Sequence, residues 1–365
     1  MKILILTQKI AEGDSLLGFF CAWLNELAER VAGIYVLTLE KRAAQLASNI
    51  KVYSCGKEAG KNRLVRFLKF NGYLGYICWH KRPDLIFVHM CPEYLIPTWF
   101  YAKIRGIPMV MWYAHGRAGW LLKISHRLAE RIVTSSPTGF RVKSPKIVVS
   151  GQGIDIEKFR IQKPESGNQR KGKKIILSLG RISPIKNYET LIKAADLLVN
   201  HTNSRDLEFR IVGGVAVKSQ DSYFVSLKNM VSEYKLEGYV QFTGPVSYRQ
   251  IEYCYHDCDL FVSTSLTGSL DKSVLEAMSC GRVILTCNEA FIDTLGDYGK
   301  ELVFAQKDHR GLAEKISTLL GRQEGLSESL SRHLRRIVVQ GHSLNRWADN
   351  LTNVFLDVVK EQKGN

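Results

Sequence analysis

DLFVSTSLTGSLDKSVLEAMSCGRVILT, residues 259–286, holds strand, turn and helix signals in direct succession. Asp259–Ser263 reads as a buried strand. Ser, Thr and Gly crowd the turn from Thr264 to Ser269, Ser269 is a candidate helix cap, and a helix is predicted over Leu270–Ser279. Gly281 ends that helix and Val283–Thr286 reads as the next strand. The segment is a strand-turn-helix-strand unit.

A turn at the mouth of such a unit points backbone N–H groups outward, and the helix dipole adds roughly half a positive charge there. A phosphate is the expected guest. Gly268 allows close backbone approach, with Ser269 and Leu270 beside it; Lys272 falls in the first helical turn, and Glu276 stands one turn on, where a carboxylate can accept from sugar hydroxyls. Asp271 works against this, because its carboxylate competes with a phosphate for the same donors.

SLTGSLDKSVLEAMSCGRVIL resembles the donor-binding segment of retaining GT-B glycosyltransferases, glycosyltransferase family 4 in particular (glycosyl transferases group 1). The resemblance implies a pair of glutamates. Glu276 matches the second, which in the family holds the ribose of the sugar nucleotide, while the first falls on Gly268. Either Asp271 or a backbone group then stands in for the missing carboxylate.

At 365 residues the chain suits two domains, and 45% hydrophobic with 24% charged residues is a globular composition. No apolar run approaches the ~20 residues that span a bilayer. The start, MKILILTQK, reads as a first buried strand instead of a leader, so a cytoplasmic protein is expected. Eight cysteines at 21, 55, 78, 91, 254, 258, 280 and 287 show no paired CxxC spacing and read as reduced core thiols. Cys254, His256 and Cys258 lack a second ligand pair, and the DxD pair Asp257 and Asp259 opens a buried strand, so no metal or other cofactor is expected.

The net charge of +16 is uneven: residues 1–165 hold 25 Lys/Arg against 12 Asp/Glu. Residues 57–82 mix seven Lys/Arg with Leu64, Phe67, Leu68, Tyr73, Leu74, Ile77 and Trp79. This basic amphipathic pattern suits either a helix lying on an anionic bilayer or a packing helix with a solvated basic face.

Before residue 150 strands alternate with helices: Lys2–Thr7, a helix over Leu17–Arg30, Ile34–Thr38, Leu85–His89, a helix over Glu93–Ile104, Pro108–Tyr113, a helix over Leu121–Arg131, then Ile132–Ser135 and Lys146–Ser150. Such alternation predicts a parallel sheet with ligands at the carboxyl ends of its strands. His115 stands just past one such end, followed by Gly116 and Arg117. The resemblance implies that His115 lies beside the transferred sugar and that Gly18 is the cleft glycine after the first strand.

GQGIDIEKF, residues 151–159, resembles the element closing the family's first domain, and the polar run after Pro164 has linker composition, which sets the join near residue 168. Lys174–Leu179 then runs into GRISPIKN, residues 180–187, and a helix over Tyr188–Val199. Arg181 and Lys186 match the family's paired cations on the donor diphosphate, where fixed charge stabilises a leaving group. Asn187 replaces the glycine that commonly follows. Strand-end turns at Gly213–Gly214 and at Gly244 come next, the latter meeting the nucleobase through backbone in the family.

The expectation is a GT-B fold of two Rossmann-like doubly wound α/β domains facing a cleft: residues 1–168 on the acceptor side, 169–342 binding the donor, and 343–365 as a helix crossing back. Its implied activity is retaining, metal-independent transfer of a hexosyl-type sugar from a nucleotide-sugar donor to a glycan or lipid-linked acceptor, as in glycan, glycolipid or cell-surface polysaccharide synthesis, with residues 57–82 meeting the inner membrane face. The alternatives are a sugar-nucleotide epimerase of the same architecture and a non-catalytic basic protein that binds nucleic acid; the transferase reading has no nucleic-acid partner.

Overall fold

The computed structural model describes residues 1–115, 119–162 and 172–364. Its contacts divide the chain into two compact units, Met1–Gly153 with Leu344–Asn365, and Ile154–Ser343.

The first unit runs β1 (Lys2–Ile10), α1 (Phe19–Ala28), β2 (Gly33–Lys41), β3 (Ile50–Ser54), α2 (Arg63–Tyr76), β4 (Leu85–His89), α3 (Pro92–Arg105), β5 (Met109–Trp112), α4 (Trp120–Leu128), β6 (Arg131–Thr134) and β7 (Ile147–Val149). A π-helical turn, Ile77–Lys81, extends α2. The strands form one parallel sheet in the order β3-β2-β1-β4-β5-β6-β7. β4 is buried along its whole length, as a parallel strand covered on both faces must be. One apolar cluster lies on each face of this sheet.

The second unit runs β8 (Lys174–Leu179), α5 (Tyr188–Asp196), β9 (Leu207–Val212), α6 (Asp221–Glu233), β10 (Val240–Gly244), α7 (Ile251–His256), β11 (Leu260–Ser263), α8 (Lys272–Ser279), β12 (Val283–Thr286), α9 (Ile292–Leu295), α10 (Gly299–Leu302), α11 (His309–Leu320) and α12 (Glu324–Gly341). Its parallel sheet has the order β10-β9-β8-β11-β12. The chain ends in α13 (Leu344–Gly364), which packs in the first unit. There Trp347 lies against Trp23 with centroids 3.8 Å apart and the rings tilted by 36°, and Trp112 meets both rings edge-on. Both architectures are α/β with Rossmann-like doubly wound sheets.

Several local expectations are corrected. Residues 50–54 form an edge strand that the sequence reading passed over, and the first helix starts at Phe19 instead of Leu17. Gly18 is the residue just before it, with an ordinary helical φ of −57°, so nothing in its backbone demands glycine. The join set near residue 168 lies outside the described residues. The closing element is split: Trp23 donates its ring N–H to the Gly153 carbonyl at 2.8 Å, but Ile154 and Phe159 are buried in the core of the second unit. No described helix is long and apolar enough to cross a membrane.

Candidate functional site

In a parallel sheet whose strands run outward from the middle in both directions, the loops at the reversal point diverge and leave a crevice at the carboxyl ends. In the second unit this point falls between β8 and β11. The segment after β8 is Gly180–Asn187, and the segment after β11 is Thr264–Asp271. The two stretches singled out in the sequence are therefore neighbours at the switch point.

Three bonds stitch them together. Leu266 donates its backbone N–H to the Ile185 carbonyl at 2.9 Å. The Thr264 hydroxyl donates to the Lys186 carbonyl at 2.6 Å. Lys186 Nζ lies 3.0 Å from Asp271 Oδ1, with both side chains largely buried. Asn187 takes up the left-handed conformation, φ +50°, which asparagine tolerates better than most residues, and this accounts for an Asn where glycine is common.

Asp271 sits at the N-cap position of α8 without capping it. Ser269 was expected to cap this helix from Leu270, but the helix begins at Lys272. The Asp271 carboxylate turns instead to Lys186 and to Asn288, whose Nδ2 donates to Oδ2 at 3.3 Å. Asn288, fully buried after β12, also donates to the Ser269 carbonyl at 2.6 Å and so holds the turn in place. Gly268 adopts φ +70°, and Gly244 φ +79°. Leu270 is buried, so any ligand contact from it comes through its backbone.

The floor of the crevice is glycine by necessity. A Cβ on Gly213 would stand 1.8 Å from the Gly180 carbonyl oxygen. Gly213 N–H in turn donates to the Gly244 carbonyl, and Ile182 N–H to the Gly214 carbonyl. Arg181 follows Gly180 in this floor, exposed and without a hydrogen-bond or ion-pair partner among the described residues.

Glu276 stands on α8 one turn past Lys272. It was expected to offer its carboxylate to ribose hydroxyls, but it is 4% exposed and accepts from the Tyr255 hydroxyl at 2.7 Å. Tyr248 bonds the same carboxylate. Burial pushes the Glu276 carboxyl up, against the opposing charge of Lys272 and the tyrosine donors. Burial likewise pushes the Lys272 ammonium down, against Glu276. Both shifts favour the neutral forms.

The remaining candidates are elsewhere. His115 follows β5 in the first unit, its N–H donating to the Gly139 carbonyl at 3.0 Å and its ring 6.4 Å from Tyr113; Gly116 and Arg117 are outside the described residues. Asp259 Oδ2 accepts from Ile175 N–H at 2.8 Å, and Asp257 pairs with Arg210. Those two acids lie where β8 and β11 begin, at the opposite end of the sheet from the crevice. His256 bonds to the Arg160 carbonyl, the Cys258 thiol donates to the Tyr255 carbonyl, and no described cluster of His, Cys, Asp or Glu is built to hold a metal. None of the eight cysteines, all of them described residues, is in a disulfide; burial raises the Cys55 and Cys78 thiols to about 11, which keeps them protonated.

Residues 159–336, which lie within the second unit, match the family model of glycosyl transferases group 1. The chain is similar to D-inositol 3-phosphate glycosyltransferase of Paenarthrobacter aurescens (strain TC1), 22% identical over 241 residues, 63% of this chain and 50% of that protein. It is also similar to poly(ribitol-phosphate) alpha-N-acetylglucosaminyltransferase of Staphylococcus aureus (strain COL), 25% identical over 184 residues, 50% of this chain and 35% of that one. The chain thus spans half or less of the length of these curated relatives. Among solved structures it is similar in fold to Anabaena Alr3699/HepE in complex with UDP-glucose, with a TM-score of 0.77 and 16% identity, covering 98% and 100% of the two chains. Sucrose-phosphate synthase from Thermosynechococcus elongatus gives 0.79 and 15%, covering 99% of each. The fold is that of the GT-B glycosyltransferases.

Proposed function

We propose that this chain is a retaining glycosyltransferase that moves a hexosyl-type sugar from a nucleotide-sugar donor to a glycan or lipid-linked acceptor, in glycan, glycolipid or cell-surface polysaccharide synthesis. The observation that carries the reading is the meeting of GRISPIKN with the Gly268–Lys272 turn at the switch point of the second sheet, joined through Lys186 and Asp271. Glycine floor, helix N-terminus and cations together suit a diphosphate.

In this reading the donor diphosphate lies over Gly180, Gly213 and the Gly268–Leu270 backbone, with Arg181 and Lys186 on its oxygens. As the glycosidic bond breaks, negative charge grows on the leaving phosphate, and cations fixed in advance lower the barrier. They supply the positive charge that a metal would otherwise bring, so the transfer is proposed to be metal-independent. With Gly268 where the family's first glutamate stands and Asp271 turned to Lys186 and Asn288, no side-chain nucleophile is assigned, and the leaving phosphate takes the acceptor proton. His115 is assigned a part in turnover, beside the transferred sugar. The base meets Gly244 through backbone. Solved neighbours hold UDP and UDP-glucose, which makes a uridine donor the first to try.

The test incubates the protein with UDP- and GDP-sugars, with and without lipid-linked and soluble glycan acceptors, in deuterated water. The reading predicts nucleoside diphosphate release that depends on one donor and falls at least tenfold in Arg181→Ala. Deuterium entering C2 of the sugar without an acceptor would replace transfer by epimerisation.

A further inference from the structure

The first unit carries an apolar ridge that the transfer reading does not use. On α2, Leu64, Phe67 and Leu68 share one helical face and are 67%, 58% and 61% exposed. On α3, Phe100 and Ile104 stand one turn apart at 61% and 55% exposure. Tyr101 joins the two helices. Its hydroxyl donates to Asn71 Oδ1 at 3.4 Å, its ring meets Trp79 edge-on at 6.0 Å, and Phe100 lies against it. Exposed apolar surface of this continuity is uncommon unless something covers it.

The surrounding charge says what. Lys61, Arg63 and Lys69 flank the α2 side and Lys103 and Arg105 the α3 side, with the Arg105 guanidinium 5.8 Å from the centre of the Trp79 ring. Glu58 is the sole acid in residues 57–82, and its carboxylate is engaged by the Ser54 hydroxyl and the Lys41 N–H. We infer that the α2/α3 face is a docking surface for an anionic lipid bilayer, with the ridge at the acyl boundary and the cations on headgroup phosphates. A second copy of the chain is a poorer occupant, because two faces of the same strong positive charge repel. The surface binds without crossing: no described helix is long and apolar enough to span.

Vesicle co-sedimentation without donor or acceptor tests this apart from the transferase reading. The parent is expected to sediment with phosphatidylcholine vesicles containing phosphatidylglycerol and little with phosphatidylcholine alone. Each of Lys61→Gln, Arg63→Gln, Lys69→Gln and Lys103→Gln should lower the partition coefficient about fivefold at low salt. The triple variant Leu64→Ser, Phe67→Ser and Phe100→Ser should lose at least tenfold while melting at the parental temperature, since these side chains are already in solvent. Equal recovery on both vesicle types, or none on either, overturns the inference. So does a ridge variant that dissolves a dimer in gel filtration but leaves vesicle binding unchanged.

Discussion

Lys186 Nζ and Asp271 Oδ1, 85 residues apart in sequence, form a largely buried ion pair of 3.0 Å. The pair fixes two loops whose strands are neighbours, and Arg181, in the first of these loops, is exposed. It also neutralises Lys186, so an arriving phosphate competes with Asp271 for the ammonium.

Asp271→Asn separates the two parts that the sequence left open for this residue. If Asp271 only competes, removing its charge strengthens nucleoside diphosphate binding by at least about fivefold, since ~1 kcal/mol is what one charge interaction gives in bulk-water dielectric and this largely buried pair lies in a lower one. Stability should fall, because the part-buried Lys186 loses its counter-charge. Calorimetric titration with the diphosphate reads the first effect and thermal melting the second. Weaker binding would mean that Asp271 touches the ligand itself.

Glu276→Gln should change the pH dependence of stability in a defined direction. The native carboxyl is raised above its unfolded value, so its contribution is complete at low pH and is lost as pH rises through the native value. The glutamine variant has no such loss. Its stability relative to the parent should therefore increase from pH 5 to pH 8, measured by urea unfolding at each pH. A difference that shrinks over this range would show that Lys272 and the tyrosines outweigh burial.

Trp347→Ala removes the ring by which α13 docks on Trp23 and Trp112. For a fully buried tryptophan the expected cost is about 3–5 kcal/mol. Urea unfolding followed by Trp fluorescence and by circular dichroism should show an earlier transition. A change below about 1 kcal/mol would mean that α13 contributes little to the first unit.

His115→Ala is expected to depress turnover while leaving nucleoside diphosphate affinity as it was, since His115 belongs to the first unit and the diphosphate crevice to the second. Steady-state rates together with a diphosphate titration check it. Unchanged turnover would return His115 to a structural part at the end of β5.

The second sheet was legible because residues 259–286 hold strand, turn and helix without interruption, each with its own local signal. GRISPIKN was legible for the same reason. What local pattern cannot carry is which way a side chain turns in a helix buried all round. Every residue from Val274 to Ser279 is buried, so no helical stripe marks the side on which Glu276 meets Tyr255. Asn288 was missed because its bonds reach back to Ser269 and Asp271, across α8 and β12. β3 was missed because it is a short, half-buried edge strand with little apolar contrast. Ile154 and Phe159 gave no sign that they leave the sheet they follow.

The central claim is that Arg181 and Lys186 hold a nucleoside diphosphate at the switch point of the second sheet. Thermal melting of the parent and of the Arg181→Ala, Lys186→Ala double variant, across a panel of nucleoside diphosphates, tests it most directly. Each cation is expected to contribute a charge-assisted contact of about 1.5–3 kcal/mol. At least one diphosphate, UDP first, should raise the melting temperature of the parent through preferential binding to the folded state. The account predicts that this shift disappears in the double variant, which melts below the parent because Asp271 loses its counter-charge but still unfolds cooperatively. An equal shift in both proteins, or none in the parent with any diphosphate, would contradict it.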